Sequence, residues 1–136
     1  METQCITCIE ANIKRAVVPK LRTSELAKAF GDHFHMDIWG PARKQALGGY
    51  NYTLTLVDDA TRWTQIYLLK TKDNAYGAYI KWAELLYTQH NIRIKTLQSD
   101  NDSVFLSTQF NEFLNTQGTT RKLTVHDTPQ QNGVAE

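Results

Sequence analysis

The sequence predicts an α/β fold, a mixed five-stranded sheet flanked by helices in the order β-β-β-α-β-α-β. Three strand-like segments come first with short connections, which suits an antiparallel meander. A helical pattern then precedes each of two further strand segments, which suits crossovers to parallel partners. The 136 residues hold no internal repeat and no low-complexity tract, so the length fits one domain of roughly 100–150 residues.

The first strand reads Asp32-His33-Phe34-His35-Met36-Asp37-Ile38-Trp39, stopped by Gly40-Pro41. A period of two puts His33, His35 and Asp37 on one face and Phe34, Met36 and Ile38 on the other. Arg43 to Gly49 reads as a loop. Tyr50 to Val57 is rich in aromatic, Thr and branched residues, and Arg62 to Leu69 returns beside it after the turn Asp58-Asp59-Ala60-Thr61. The two turn acids are expected to bond local backbone.

Asp73 or Asn74 can cap a helix reaching about His90, with Tyr76, Tyr79, Ile80, Ala83, Leu86 and Tyr87 as its apolar stripe. Ile92 to Leu97 is the next strand, ending at Asp100. Ser107 caps a second helix that turns Phe110, Phe113 and Leu114 inward and stops at Gly118. Thr119 to Val125 is the last strand. Thr128 to Gly133 is a polar loop, and Val134-Ala135-Glu136 opens a further helix.

Composition bounds the function. Apolar content of 41% supports a core. No apolar run approaches the ~18–20 residues of a membrane span, so no membrane role is expected. Met1-Glu2-Thr3-Gln4-Cys5 lacks a signal-peptide layout, and an intracellular protein is the expectation. A net charge of +1 sets aside a strongly basic nucleic-acid binder, so such binding needs a local patch. Lys14, Arg15, Lys20, Arg22 and Lys28 give the first 31 residues a basic excess, which suits a phosphate-following arm or a solvated linker. Cys5 and Cys8 are spaced C-x-x-C, either half of a four-ligand zinc site or two free thiols.

Three acids carry the chemistry. Asp37 ends the first strand, Asp100 ends the fourth, and Glu136 follows after residues 101–135. Hard divalent cations take oxygen ligands, and two ions roughly 3.5–4 Å apart suit displacement at a phosphodiester. The alternative is strand-end carboxylates serving as turn caps. His33-x-His35-x-Asp37 also suits a transition metal, but further ligands have no clear spacing.

The motifs around these acids are specific. They are His35-Met36-Asp37-Ile38-Trp39-Gly40-Pro41, Tyr52-Thr53-Leu54-Thr55-Leu56-Val57-Asp58-Asp59-Ala60-Thr61-Arg62, Lys95-Thr96-Leu97-Gln98-Ser99-Asp100-Asn101 and His126-Asp127-Thr128-Pro129-Gln130-Gln131-Asn132-Gly133-Val134-Ala135-Glu136. With them, residues 33–136 resemble the integrase catalytic core of copia-type LTR retrotransposons, within the retroviral integrase superfamily.

The resemblance implies a ribonuclease-H-like fold and a D,D-35-E site of Asp37, Asp100 and Glu136 holding Mg²⁺ or Mn²⁺. It implies processing of 3′ DNA ends and their joining to target DNA, with Asn132 and Gly133 in a loop near the DNA. Residues 32–136 would be the core. Residues 1–31 would be a linker plus the remnant of a preceding zinc module, in which Cys5 and Cys8 bind Zn²⁺ only with two His ligands that this chain lacks. Nucleic-acid partners, a homo-oligomer and a nuclear location follow from the same resemblance.

Three departures accompany it. The family continues Ser-Asp-Asn with Gly-Gly-Glu-Phe, whereas this chain has Asp102-Ser103-Val104-Phe105. Asp102 and Ser103 are expected to be less permissive than glycine and to add negative charge at the site. The chain stops at Glu136, so the core is expected to be truncated before its final catalytic helix. The zinc module lacks its His pair. The competing reading is a catalytically inactive retrotransposon remnant that binds nucleic acid weakly.

Overall fold

The computed structural model describes residues 25–124. Seven elements follow in the expected order. They are β1 (His33–Trp39), β2 (Tyr52–Asp58), β3 (Thr64–Leu69), α1 (Asn74–His90), β4 (Thr96–Ser99), α2 (Thr108–Gln117) and β5 (Thr120–Leu123).

The sheet order is β3-β2-β1-β4-β5. β2 pairs antiparallel with β1 and β3, while β4 pairs parallel with β1 and β5. The carboxyl ends of β1, β3, β4 and β5 therefore share one edge. The chain order reverses between β1 and β4, where open α/β sheets tend to bind ligands.

Several boundaries move from their expected places. Arg62 has φ +62°, a left-handed conformation that a strand cannot use, so β3 starts at Thr64. β1 starts at His33 and gives residues 92–94 no ladder partner, so β4 starts at Thr96. Asp73 occupies the N-cap of α1 without a capping side-chain bond. Ser107 does cap α2, accepting from the Phe110 amide at 3.3 Å, and Gly118 ends that helix at φ +74°.

Both helices contribute to the core on one face of the sheet. Phe34 and Met36 of β1, Leu54 and Leu56 of β2 and Leu97 of β4 meet Tyr79, Trp82 and Leu86 of α1 and Phe110 and Leu114 of α2. Trp82 stands edge-on to Phe34 with centroids 4.8 Å apart. Tyr79 meets Phe110 at 5.2 Å. Of the expected stripe on α1, Tyr79 and Leu86 are buried and Tyr76 and Ala83 pack partly against the core, but the buried face also takes in Ala75 and Trp82 and leaves Tyr87 exposed. The indole is the largest apolar group on the helix, and its burial turns Tyr87 outward. No helix among the described residues is long and apolar enough to cross a membrane.

Candidate metal centre at the carboxyl edge of the sheet

The parallel ladder sets His33 beside Thr96, Phe34 beside Leu97 and His35 beside Gln98. The ladder ends at His35 and Gln98 and β4 ends at Ser99; carried two residues past that pair, the register would bring Asp37 and Asp100 to one level. Side chains alternate along each strand, so both residues belong to the face opposite Phe34 and Leu97. Contact between His33 Nε2 and Gln98 Oε1 at 3.1 Å shows that this face is shared across β1 and β4. Neighbouring strands lie ~4.8 Å apart, a spacing that lets two carboxylates serve one ion or ion pair. Their all-oxygen donor set fits a hard cation such as Mg²⁺ or Mn²⁺.

The loop after β4 is built by its own acids. Asp100 Oδ1 accepts from the Asp102 amide at 3.1 Å, and Asp102 Oδ1 accepts from the Val104 amide at 3.2 Å. The Asp102 carbonyl accepts from the Phe105 amide at 2.9 Å. Asp102 Oδ2 pairs with the Lys72 ammonium, which arrives from the β3–α1 loop. That hydrogen bond holds the Lys72 pKa above its ordinary value against the opposing effect of burial, and the charges of Asp102 and Asp100 add to it. Burial lowers the Arg121 pKa, and the Asp100 charge opposes that. Two cations from other segments thus feel the Asp100 carboxylate.

These contacts show how the loop accommodates Asp102 and Ser103. Among the described residues, only Arg62 and Asn91 are non-glycines with positive φ. Asp102 and Ser103 sit in ordinary backbone regions, so this turn does not need glycine. The added Asp102 charge is offset by Lys72.

A second group lies on the same face of β1. Ligand atoms of His33, His35 and Asp59 all fall within 4.8 Å of one another. Asp58 and Asp59 are both fully buried. Asp58 behaves as expected of a turn acid, accepting from the Thr61 amide and hydroxyl at 2.8 Å each, and it also accepts from the Gly31 amide. Asp59 does not. Its Oδ2 accepts from the distant Ala27 amide at 2.9 Å, and its Oδ1 lies 3.2 Å from His35 Nε2. The Asp59 amide donates to the His33 carbonyl at 2.9 Å, which holds the end of β2 beside the start of β1. Sequence reasoning singled out the two histidines but missed Asp59. Its signal was the doubled acid at the end of the second strand. Glu136, Asn132, Gly133, Cys5 and Cys8 lie outside the described residues.

A mixed sheet of this order is the ribonuclease-H-like architecture of integrase cores. The family model "Integrase core domain" matches residues 27–129, and the chain belongs to that family. It is similar to the retrovirus-related Pol polyprotein from transposon TNT 1-94 of Nicotiana tabacum, with 37% identity over 105 residues, or 77% of this chain and 8% of that protein. The Pol polyprotein from transposon RE2 of Arabidopsis thaliana is 29% identical over 105 residues, covering 77% of this chain and 7% of that protein. The chain thus spans less than a tenth of these relatives. Among solved structures, a chain of the simian T-cell lymphotropic virus intasome in complex with PP2A regulatory subunit B56 gamma matches with a TM-score of 0.63. That match has 13% identity and covers 86% of this chain and 41% of that one, a likeness of fold. The resemblance to copia-type retrotransposon integrase cores is borne out.

Proposed function

We propose that this chain is the catalytic core of a retrotransposon integrase that processes 3′ DNA ends and joins them to target DNA. The β1–β4 pairing supports this most directly, because Asp37 ends β1 and Asp100 follows directly after its parallel neighbour β4. In this reading Asp37, Asp100 and Glu136 hold Mg²⁺ or Mn²⁺. The chemistry supplied by such ions when bound is activation of the attacking oxygen and stabilisation of the leaving oxygen at phosphorus. The chain's own residues hold the site in shape. The Asp102 amide fixes one oxygen of Asp100, and Lys72 ties the loop after β4 to the β3–α1 loop.

Asn132 and Gly133 lie beside the bound DNA in this proposal. Cys5 and Cys8 supply two thiolates to a zinc module completed by two histidines from elsewhere. Residues 1–31 belong to that module and its linker, and residues 32–136 to the core. The protein works as a homo-oligomer on DNA, in the nucleus where chromosomal target DNA is found.

An end-joining assay tests the proposal. An integrase carrying this core, given a labelled DNA end and Mn²⁺, joins it to target DNA. Asp100→Asn lowers joining about 100-fold or more while the fold persists, as loss of several kcal/mol of transition-state stabilisation implies. Joining that survives Asp100→Asn overturns the assignment. No joining by the unsubstituted core, with DNA still bound, makes it the inactive remnant.

A further inference from the structure

We propose that His33, His35 and Asp59 form a transition-metal site separate from the Asp37–Asp100 pair. Two imidazoles and one carboxylate are a ligand set for zinc-like ions, whereas an all-oxygen set suits magnesium. The proposal is independent of catalysis and does not rest on the reading above.

The geometry is nearly that of a loaded site. Tetrahedral metal bonds of ~2.0–2.2 Å separate two ligand atoms by about 3.3 Å. His35 Nε2 and Asp59 Oδ1 already lie 3.2 Å apart. The His33 ring stacks on the His35 ring with centroids 4.7 Å apart and planes 14° from parallel. The ligand atoms of all three residues fit within 4.8 Å, so His33 needs only a small ring adjustment to close the set.

Outer contacts hold two of the ligands. The other oxygen of Asp59 is fixed by the Ala27 amide. Gln98 Oε1 lies 3.1 Å from His33 Nε2. Metal-binding histidines commonly donate their second ring N–H to a carbonyl in this way. His35 and Asp59 are buried while His33 is only half-buried, so an ion has an approach from the His33 side. A bound ion would tie β1 to the β2–β3 turn, a bond between segments 24 residues apart.

Co²⁺ is the probe, because its visible absorption reports tetrahedral coordination. The chain used carries Cys5→Ser and Cys8→Ser, which removes thiolate ligands. Titration is expected to give one equivalent of tetrahedral Co²⁺, read from its visible spectrum and lacking thiolate charge transfer, whatever further Co²⁺ the Asp37–Asp100 oxygens take up with weak absorption. His33→Gln should weaken binding by at least about tenfold, since even outer contacts are worth 10–100-fold. Asp59→Asn should do the same, and circular dichroism on both variants separates ligand loss from unfolding. Asp37→Asn with Asp100→Asn should leave the spectrum unchanged, as should His90→Gln. Co²⁺ affinity unaffected by His33→Gln would overturn the site, and so would loss of the spectrum in the Asp37→Asn, Asp100→Asn chain. Absence of Co²⁺ binding would overturn it too, leaving the cluster a hydrogen-bonded strut.

Discussion

Lys72 and Asp102 form an ion pair between the β3–α1 loop and the β4–α2 loop, two residues beyond Asp100. The pair brings together three features of the candidate centre: a strand-end acid, its local turn and a cation from another segment. Lys72 remains partly exposed, so Lys72→Met should cost only about 0.2–1 kcal/mol, less in high salt. The raised Lys72 pKa sets the sign of its pH dependence. The contribution is complete below the ordinary lysine value and fades as pH rises through the raised one. Chemical denaturation of both proteins at neutral and strongly alkaline pH should show the difference shrinking.

Tyr79 gives a cleaner alkaline signal. Its hydroxyl is buried, and burial raises its pKa far above the ordinary tyrosine value. Above pH ~10 the unfolded chain releases a proton that the folded chain retains. Stability then falls as pH rises, by up to about 1.4 kcal/mol per pH unit from this one group. Tyr79→Phe should flatten that limb, measured as the change in urea midpoint between pH 9 and pH 11. An unchanged slope would place the Tyr79 hydroxyl in water.

Trp82 anchors α1 to the sheet through Phe34 and to the rest of the helix core through Tyr79. Trp82→Ala should cost about 3–5 kcal/mol, enough to unfold a marginal domain. Tyr87→Ala, at an exposed position of the same helix, should cost well under half of that. Thermal melts of the two variants separate the observed helix rotation from the one that buries Tyr87.

Two glycines with positive φ should respond differently to alanine. At Gly118 a Cβ meets nothing within 4 Å, so Gly118→Ala carries only the backbone cost of about 1 kcal/mol. At Gly40, φ is +139° and a Cβ would fall 2.6 Å from Tyr52 Cδ1 and 2.7 Å from the Asn51 carbonyl oxygen. Gly40→Ala should therefore cost about 2 kcal/mol or more and disturb the end of β1 near Asp37. Equilibrium unfolding of the two variants ranks them.

The strands were legible because their period of two is strong. It sets Phe34 and Met36 toward the core and His33, His35 and Asp37 on the other face. The helix ends were legible through Ser107 and Gly118, residues with a local reason to be there. Strand order was less so, because periodicity says which face is buried but not which strand lies beside it. The pairing of β1 with β4 is a tertiary fact, and the level that Asp37 and Asp100 would share follows only from its register carried past Gln98. Asp59 was misread for the same reason. A turn acid has a local partner available, yet its carboxylate reaches Ala27 and His35 because the β1–β2 register ends beside it. The added charge of Asp102 was legible, but only the fold brings Lys72 to meet it.

The most direct test of the central claim is Mn²⁺ binding, followed by electron paramagnetic resonance, for the wild-type chain, Asp37→Asn, Asp100→Asn and the double variant. If both carboxylates hold the same ion or ion pair, each single substitution weakens binding by about tenfold or more, and the double variant is little worse than either, because neighbouring ligands are not additive. His33→Gln leaves Mn²⁺ affinity unchanged. Full affinity in either single variant, or losses that simply add, would contradict a shared site at the β1–β4 edge.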